Sequence, residues 1–256
     1  MINPSLHLQP AALDANVHKN LKLKLPVTEW SSADKLNALF VAAAEFGDTC
    51  REFPIVFVRA GKEADGKEAI APIAVLGLNQ NQNLFVSGER WRGNYMPAVL
   101  RMYPFCIARI DDERFAVCID TASKSLSTVE GTALFNADST PSDLVVSMQK
   151  QLEVLEAEIQ RTRVVCQRLL ELDLLRDMRF DTTMPDGKQH TVDGFLTVDE
   201  EKFAQLPEST VLEMHRNGLL GLVHLHWVSM GNMRRLVDWH IERSAAQGTV
   251  PAALPA

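Results

Sequence analysis

The sequence lacks the long apolar run that a membrane-spanning helix requires. No stretch of its 256 residues reaches about 18 consecutive apolar side chains, and the most apolar window, 219–228, contains two histidines. The first 30 residues hold scattered charges and three prolines instead of the apolar core of a signal peptide. These absences predict a cytoplasmic protein with no transmembrane segment, with export without a cleaved signal left open.

Positive charge is also scarce. Lys and Arg total 26 against 33 for Asp and Glu, which gives a formal charge of −7 at pH 7. No block of Lys or Arg interrupts this acidic balance. Binding of nucleic acid depends on basic surfaces that neutralise phosphates. We therefore expect no nucleic-acid partner.

Cysteine is limited to four copies, at Cys50, Cys106, Cys118 and Cys166. None forms C-x-x-C, which argues against zinc ribbons and thioredoxin-like redox sites. Cys106 and Cys118 flank a predicted hairpin turn at 111–114. A four-residue loop there pairs Cys106 with Ile119 and places Cys118 on the opposite face of the sheet. We therefore expect no bridge between them and predict buried free thiols.

Strong catalytic signatures are missing. There is no G-x-S-x-G nucleophile elbow and no G-x-G-x-x-G loop. The segment 61–67 fits G-x-x-x-x-G-K, but Glu68 stands where a Ser or Thr must contact Mg²⁺, and a carboxylate there would repel phosphate. The following residues have a strand pattern, so we expect a charged hairpin turn. The sequence predicts no cofactor and no catalytic residue.

Three histidines, His224, His226 and His240, cluster late in the chain. On a helix, side chains two positions apart point about 200° apart, so His224 and His226 diverge. Positions 226 and 240 lie about 21 Å apart along a helix axis, too far for one ion. Core or interface histidines are favoured. His224 and His226 are weak metal candidates, and they share a face only if 222–228 is a strand.

Strand patterns predominate early in the chain. A helix is predicted from a capping box at Ser31 and Asp34 to Gly47. Pro72 marks its strand as an edge or an irregularity. Runs rich in β-branched and aromatic residues predict strands at 54–59, 69–78, 84–86, 105–110 and 115–120, and later at 179–183, 189–192 and 195–198 around a turn at 184–187.

Helices predominate later. Thr140 and Pro141 are typical of a helix start, and the helix is predicted to reach about residue 175. Its apolar seam over 145–169 follows heptad spacing. A coiled-coil homodimer through 145–169 is one interpretation, and a long helix laid over the chain's own sheet is favoured. A short helix over 199–207 and helical structure over 210–244, weakened by Gly218, Gly221 and Gly231, complete the pattern.

This order predicts an α+β fold, with an antiparallel sheet in the N-terminal half and long helices in the C-terminal half. We predict an irregular N-terminal arm over 1–30, a single domain over 31–245 and a flexible tail over 246–256.

The densest unusual segment lies between residues 91 and 105. It holds Trp91, Tyr95, Arg101 and Tyr103, including both tyrosines of the chain. Aromatic rings interleaved with arginine can bind a partner through stacking, cation–π contact and recognition of carboxylates. Together with Asp120, these residues are the candidate ligand or partner site. The alternative is structural, with Trp91 and Tyr103 in the core and Arg101 paired with Asp120.

A family resemblance rests on this segment and on shorter ones. The matching pieces are Trp91, Tyr95-Met96-Pro97-Ala98, Arg101-Met102-Tyr103-Pro104-Phe105, Phe53-Pro54-Ile55-Val56-Phe57, Leu76-Gly77-Leu78, Asn83-Leu84-Phe85, Cys118-Ile119-Asp120, Leu134-Phe135, Gly194-Phe195 and Val198-Asp199-Glu200. Over about 30–240 the chain resembles the SapC family of bacterial proteins. The resemblance implies an association with surface-layer or export functions, some members standing near outer-membrane receptor and halogenase-like genes. It implies no catalytic residues.

Three hypotheses follow for the function. The first is a non-catalytic accessory or binding protein of a surface-layer, export or peptide- or protein-modification system, which presents the aromatic and arginine patch to a peptide or protein partner. The second is an enzyme or metal-dependent protein that uses His224, His226 or a pocket beside Arg101. The third is a self-assembling surface-layer protein that pairs through the helix at 145–169.

Overall fold

The computed structural model describes residues 2–63, 66–110, 114–183 and 189–248. Its strands are β1 (Pro10–Ala12), β2 (Lys22–Leu23), β3 (Ala38–Phe40), β4 (Ile55–Lys62), β5 (Glu68–Val75), β6 (Val86–Ser87), β7 (Arg90–Trp91), β8 (Phe105–Arg109), β9 (Phe115–Asp120), β10 (Leu126–Ser127), β11 (Thr132–Ala133), β12 (Leu175–Thr183) and β13 (Gln189–Val198). Its helices are α1 (Ala15–His18), α2 (Phe46–Thr49), α3 (Ala98–Arg101), α4 (Asp143–Glu171), α5 (Glu200–Ala204), α6 (Glu208–Arg216), α7 (Leu219–Met230) and α8 (Met233–Gly248).

The largest sheet has five strands in the order β12-β13-β4-β5-β3, all paired antiparallel. The strands predicted at 189–192 and 195–198 are one strand, β13. A bulge lies between them, where Gly194 has a φ of +82° and the pairing with β12 shifts register. The predicted turn at 184–187 lies outside the described residues. The α+β class is confirmed, with antiparallel sheets early in the chain and long helices late.

Pro72 does not mark a sheet edge, because β5 lies between β4 and β3. Its carbonyl accepts a hydrogen bond from Val41 N at 3.2 Å, just where β3 ends. The amide and carbonyl of one residue face the same neighbour in an antiparallel ladder. The missing N–H of Pro72 therefore removes no bond to β4, and this is why an interior strand accommodates a proline.

The first 30 residues, predicted as an irregular arm, contain β1, α1 and β2. β1 pairs with β9 in the sheet β1-β9-β8, and β2 lies between β10 and β11. Leu6 and Leu23 are buried in the hydrophobic core. The segment therefore contacts the body of the protein, while the division into arm, domain and tail stays a prediction. Residues 249–256 of the predicted tail lie outside the described part, and α8 extends to Gly248.

The helix predicted from Ser31 to Gly47 is wrong. The segment instead contains a 3-10 turn at Ser31–Ala33, strand β3, a second 3-10 turn at Ala43–Glu45 and then α2. β3 pairs with β5 in the register Leu39 to Ala74. The apolar residues of this segment have helical spacing, yet a strand and two turns bury them. Pairing with β5 satisfies the backbone groups of β3, so a helix is not needed to do so.

Helix α4 begins at Asp143, three residues after the predicted cap, and spans about 43 Å at 1.5 Å per residue. The predicted seam is buried except for half-buried Met148, and the helix packs against β5, β8 and the turn at Ala43–Glu45. The buried seam residues are Val145, Leu152, Leu155, Ile159, Thr162, Cys166 and Leu169. The favoured interpretation, a helix laid over the chain's own sheet, matches this packing. A homodimer through 145–169 stays a prediction.

The register predicted for the β8–β9 hairpin is off by one residue. Cys106 lies directly opposite Cys118, and Ile107 opposite Val117. All four cysteines are nevertheless free and buried, as predicted. The absence of a bridge is therefore confirmed, although the argument from opposite faces was wrong. The predicted loop residues 111–113 lie outside the described part.

The C-terminal helices break at two of the three predicted glycines. Gly218, with a φ of +83°, separates α6 from α7, and Gly231 ends α7, whereas Gly221 lies inside α7. Within the part of the chain that the structure describes, no helix combines the length and the apolar character that crossing a membrane would require.

Candidate functional site

The structure separates the five predicted site residues into three places. Tyr103 and Asp120 meet in the interior, where Tyr103 Oη donates to Asp120 Oδ2 at 3.1 Å. Asp120 Oδ1 also accepts from the backbone of Gln9 at 2.7 Å. Tyr103 is 4% and Asp120 0% exposed, and burial raises the pKa of the Tyr103 hydroxyl. Asp120 thus links the residue before β1 to β9, and neither Tyr103 nor Asp120 belongs to a surface patch.

Trp91 belongs to a half-buried aromatic stack. Its ring lies 5.4 Å from that of Phe85, which stacks in turn on Phe53 at 4.2 Å. Trp30 meets the other side of Trp91 at 6.5 Å, and Trp91 Nε1 donates to the carbonyl of Tyr95 at 3.0 Å. Trp91 therefore fixes the backbone that carries Tyr95, in line with the structural alternative for this residue.

Tyr95 is held by a buried carboxylate. Glu45 Oε1 accepts from Tyr95 Oη and from Ala98 N, both at 2.7 Å, and Glu45 Oε2 accepts from Ala42 N at 3.0 Å. Burial and then the Glu45 carboxylate raise the pKa of the Tyr95 hydroxyl far above its usual range. Three donors satisfy Glu45, so its burial is tolerated, and the Tyr95 ring has a fixed position at the surface.

Arg101 lies over this ring. Its guanidinium carbon is 5.5 Å from the centre of the Tyr95 ring, and its side chain is exposed. No carboxylate of a described residue forms an ion pair with Arg101. The predicted alternative, a pair between Arg101 and Asp120, is therefore not found in the described part of the chain. A guanidinium held over a ring keeps its donors free for a carboxylate.

Tyr95 and Arg101 line a groove of about 450 Å³ between α3, the turn before α2 and helix α4, which we call the Tyr95 groove. Its walls are Ala42, Ala44, Glu45, Asp48, Tyr95, Ala98, Arg101, Met102, Lys150, Gln151, Val154, Leu155 and Glu158. Val154 is 63% exposed. The groove thus combines an apolar floor with charged sides, as small binding sites commonly do.

The acidic side chains of the Tyr95 groove have partners, whereas its two basic side chains have no carboxylate partner among the described residues. Asp48 lies 3.5 Å from Arg51, and Glu158 forms an ion pair with Arg161. Together with the saturated Glu45, all three acids of the groove already have partners. Arg101 and Lys150 have no carboxylate partner among the described residues. The groove therefore presents two cations that have no carboxylate partner in the described part of the chain.

Sequence reasoning missed Glu45 and Lys150. Glu45 falls in the segment predicted as a helix, where a glutamate is expected on a solvated face. Lys150 lies on α4, 49 positions after Arg101 in the sequence, and only the packing of α4 beside α3 brings the two cations to one groove. No sequence motif around Glu45 or Lys150 indicates a role in a binding site.

His226, a weak metal candidate, is a structural residue. It is fully buried, with Nδ1 2.7 Å from the Ile55 carbonyl and Nε2 accepting from Val198 N at 3.1 Å. His224 is exposed, and its Nδ1 lies 2.8 Å from the Leu220 carbonyl. Both lie on α7, as the helical interpretation requires. Across the described ranges, no group of three His, Cys, Asp or Glu side chains is arranged to hold a metal ion.

Comparison with known proteins identifies a family. No curated protein and no solved structure matches the chain. The family model described as SapC matches residues 13–236, and so includes nearly all the elements described above. The chain belongs to the SapC family.

Proposed function

We propose that this protein is a non-catalytic accessory or binding protein whose Tyr95 groove captures an acidic segment of a peptide or protein partner. One observation supports the proposal above all. The exposed guanidinium of Arg101 lies over the Tyr95 ring and has no carboxylate partner among the described residues. Membership of the SapC family supports a surface-layer or export setting, which the earlier resemblance implies.

The electrostatics of the groove support an acidic partner. Arg101 of α3 and Lys150 of α4 both line the groove, so a carboxylate-bearing segment bound there meets two cations. Guanidinium–carboxylate bonds are among the stronger hydrogen bonds in proteins. Exposed Val154 and half-buried Tyr95 add apolar area beside the charges. Aromatic and arginine side chains are enriched among residues that dominate binding energy.

The test is selection from a random peptide library on immobilised protein, followed by fluorescence anisotropy with the enriched peptides. We expect enrichment of Asp and Glu beside apolar residues. Arg101→Gln should weaken capture about tenfold, which corresponds to about 1.4 kcal/mol. Arg216→Gln is the matched control, because Arg216 is exposed on α6 outside the groove.

Two results would contradict the proposal. One is the selection of peptides without acidic residues. The other is equal binding of the enriched peptides by Arg101→Gln and Arg216→Gln. Thermal unfolding of both variants separates binding from folding, since Arg101 is exposed and its replacement should leave the midpoint nearly unchanged. Equal loss of stability and capture would assign Arg101 a structural role.

The two other hypotheses have direct tests. Elemental analysis of purified protein, repeated on His224→Gln, would reveal a stoichiometric metal if the protein is metal-dependent. Light scattering over a range of concentrations would reveal self-assembly through α4.

A further inference from the structure

Among the described residues, strand β8 is paired along one edge only. The hydrogen bonds of its hairpin show which residues face the other edge. Asp120 N donates to the Pro104 carbonyl at 2.9 Å, and Ile110 N donates to the Arg114 carbonyl at 2.9 Å. In an antiparallel pair, every second residue bonds to the partner strand. The even-numbered residues of β8 therefore face β9, and the N–H and C=O groups of Ile107 and Arg109 face away from it. β8 is the last strand of its sheet.

Strand β5 presents a second unpaired edge. Its bond from Val41 N to the Pro72 carbonyl shows that even-numbered residues of β5 face β3. β3 ends before it reaches the level of Ile70, because the chain turns at Ala43, whose N–H donates to Thr162 Oγ1 at 2.9 Å. The backbone groups of Ile70 on this side have no hydrogen-bond partner among the described residues.

The two edges border one cavity of about 540 Å³, which we call the β5–β8 slot. Ile70 of β5, Ile107 of β8 and Ile159 of α4 all line this cavity. Ile70 is 5% and Ile107 3% exposed. Buried backbone groups without a partner cost free energy, so native proteins pair them with protein, water or ligand. The slot is where that partner must lie.

Charge at the slot favours a carboxylate. Lys62, Arg109 and Arg163 line it, against Glu63 and Glu156. Glu156 Oε1 already accepts from Arg109 Nη2 and from Gln160 Nε2, both at 2.8 Å. Among the described residues this leaves Lys62 and Arg163 against Glu63 alone. An occupant with at least one negative charge is therefore complementary to the rim.

We propose that the β5–β8 slot binds an extended peptide segment by strand addition to the free edge of β8. The peptide main chain pairs with the N–H and C=O groups of Ile107 and Arg109. Alternate apolar side chains of the peptide pack on Ile70 and Ile159, and its carboxylate meets Lys62 and Arg163. This mode draws affinity from the main chain and specificity from alternate side chains.

The unpaired strand edges decide between a peptide and a small amphipathic acid. A fatty acid satisfies the apolar walls and the charged rim, but it has no donors and acceptors at the strand repeat. The slot is separate from the Tyr95 groove, which lies on the other flank of α4. The proposal therefore holds or fails independently of the function proposed above.

The experiment is an NMR titration of the full chain with the peptide acetyl-Val-Glu-Val-Thr-Val-Glu-amide up to millimolar concentration, with amide exchange measured before and after. In the free protein, the amides of Ile107 and Arg109 should exchange faster than that of Ala108, which faces β9. Saturation with peptide should slow exchange at Ile107 and Arg109 at least tenfold and leave Ala108 unchanged. Unaltered exchange at both amides would overturn the proposal.

Two N-methylated peptides, modified at odd or at even positions, keep the side chains and the charge. At least one of them should bind ten times more weakly, because it lacks the donors that pair with β8. Equal binding of both would exclude main-chain pairing. Decanoate is the competing probe. If decanoate binds and no peptide does, the slot is a small-ligand site and the proposal is wrong.

Two exposed arginines of α4 give a matched pair of variants. Arg163→Gln removes a cation of the slot and should weaken the peptide at least threefold, whereas Arg161→Gln, outside the slot, should not. Equal affinity in the two variants would contradict the role given to the rim charge. Arg101→Gln should not change this binding, which separates the slot from the Tyr95 groove.

Discussion

His226 joins three elements through one imidazole. Its Nδ1 bonds to β4 at Ile55, and its Nε2 bonds to β13 at Val198, while the residue itself lies on α7. Since Nε2 accepts from a backbone N–H, the proton resides on Nδ1 and the ring is neutral. Burial lowers the pKa of His226 to about 4, and burial does the same for His7, also to about 4.

The two histidines predict a loss of stability in mild acid. Each unfolded histidine takes up a proton below about pH 6.5, whereas the folded ones resist protonation until about pH 4. Stability should therefore fall as pH falls from about 6.5 to about 4, by up to about 3 kcal/mol for each histidine. Urea unfolding at a series of pH values measures this slope.

His226→Gln should reduce the number of protons taken up on unfolding in this pH range by about one, which makes the pH dependence of the free energy of unfolding less steep. It should also lower stability at neutral pH, because buried backbone groups lose their hydrogen-bond partners. His224→Gln is the control, since His224 is exposed. A slope that His226→Gln leaves unchanged would show that other groups cause the acid sensitivity.

Gly77 lies where the chain permits no side chain. A Cβ at Gly77 would stand 1.9 Å from the carbonyl oxygen of Gln82. Gly77→Ala should lower the free energy of unfolding by at least about 2 kcal/mol, as overpacked sites do. Gly47→Ala, which meets no atom within 4 Å inside helix α2, should be neutral or slightly stabilising. Equal midpoints in thermal unfolding would refute the close contact.

At the scale of the element, α4 packs against strands of two different sheets. Its inner face covers β5 and β8, and its two flanks form the Tyr95 groove and the β5–β8 slot. Thr162 interrupts the apolar seam because it accepts the bond from Ala43 N and donates to the Glu158 carbonyl at 2.7 Å. This polar residue of the seam thus has two intramolecular hydrogen-bond partners.

The seam predicts which changes in α4 are costly. Leu152→Ala should lower the free energy of unfolding by about 2–5 kcal/mol, because Leu152 is only 1% exposed. Val164→Ala, on a side chain 71% exposed, should change stability by less than about 0.5 kcal/mol. The midpoint of urea unfolding should not depend on protein concentration in the parent protein or in either variant. If the midpoint of the parent protein depends on concentration and only Leu152→Ala abolishes this dependence, the seam lies in a dimer interface.

At the scale of the whole molecule, the N-terminal segment contributes strands to two separate sheets. β1 extends the sheet of β8 and β9, β2 joins β10 to β11, and Asp120 receives the Gln9 amide from 111 positions away. Two neighbouring leucines differ sharply: Leu6 is 0% exposed and Leu8 62%. The segment therefore has a buried side.

These leucines test whether the first 30 residues are a dispensable arm. Leu6→Ala should cost about 2–4 kcal/mol because it leaves a cavity in the core, while Leu8→Ala should cost less than about 0.5 kcal/mol. Circular dichroism during thermal unfolding gives both values. If neither variant differs from the parent protein, the segment is an arm whose contacts contribute nothing to stability.

Local patterns in the sequence determined most elements and their class. Runs rich in β-branched and aromatic residues predicted β4, β5, β8 and β9, and the heptad spacing of α4 leaves one apolar face to cover. Gly218 and Gly231 end helices for local reasons of backbone freedom and propensity. These preferences act within a few residues, so they are visible in the sequence without knowledge of the fold.

Only the tertiary structure decided what each face contacts. The segment 31–49 has helical spacing, yet pairing with β5 makes part of it strand β3. Tyr103 and Asp120 were grouped with Tyr95 and Arg101 as a candidate site, with Tyr103 in the core as the alternative, and the packing of the chain buries both residues. Glu45, Lys150 and the free edge of β8 acquire their roles from elements distant in sequence. Long-range burial and pairing outweigh local propensity because each contributes more free energy than a single residue's intrinsic preference.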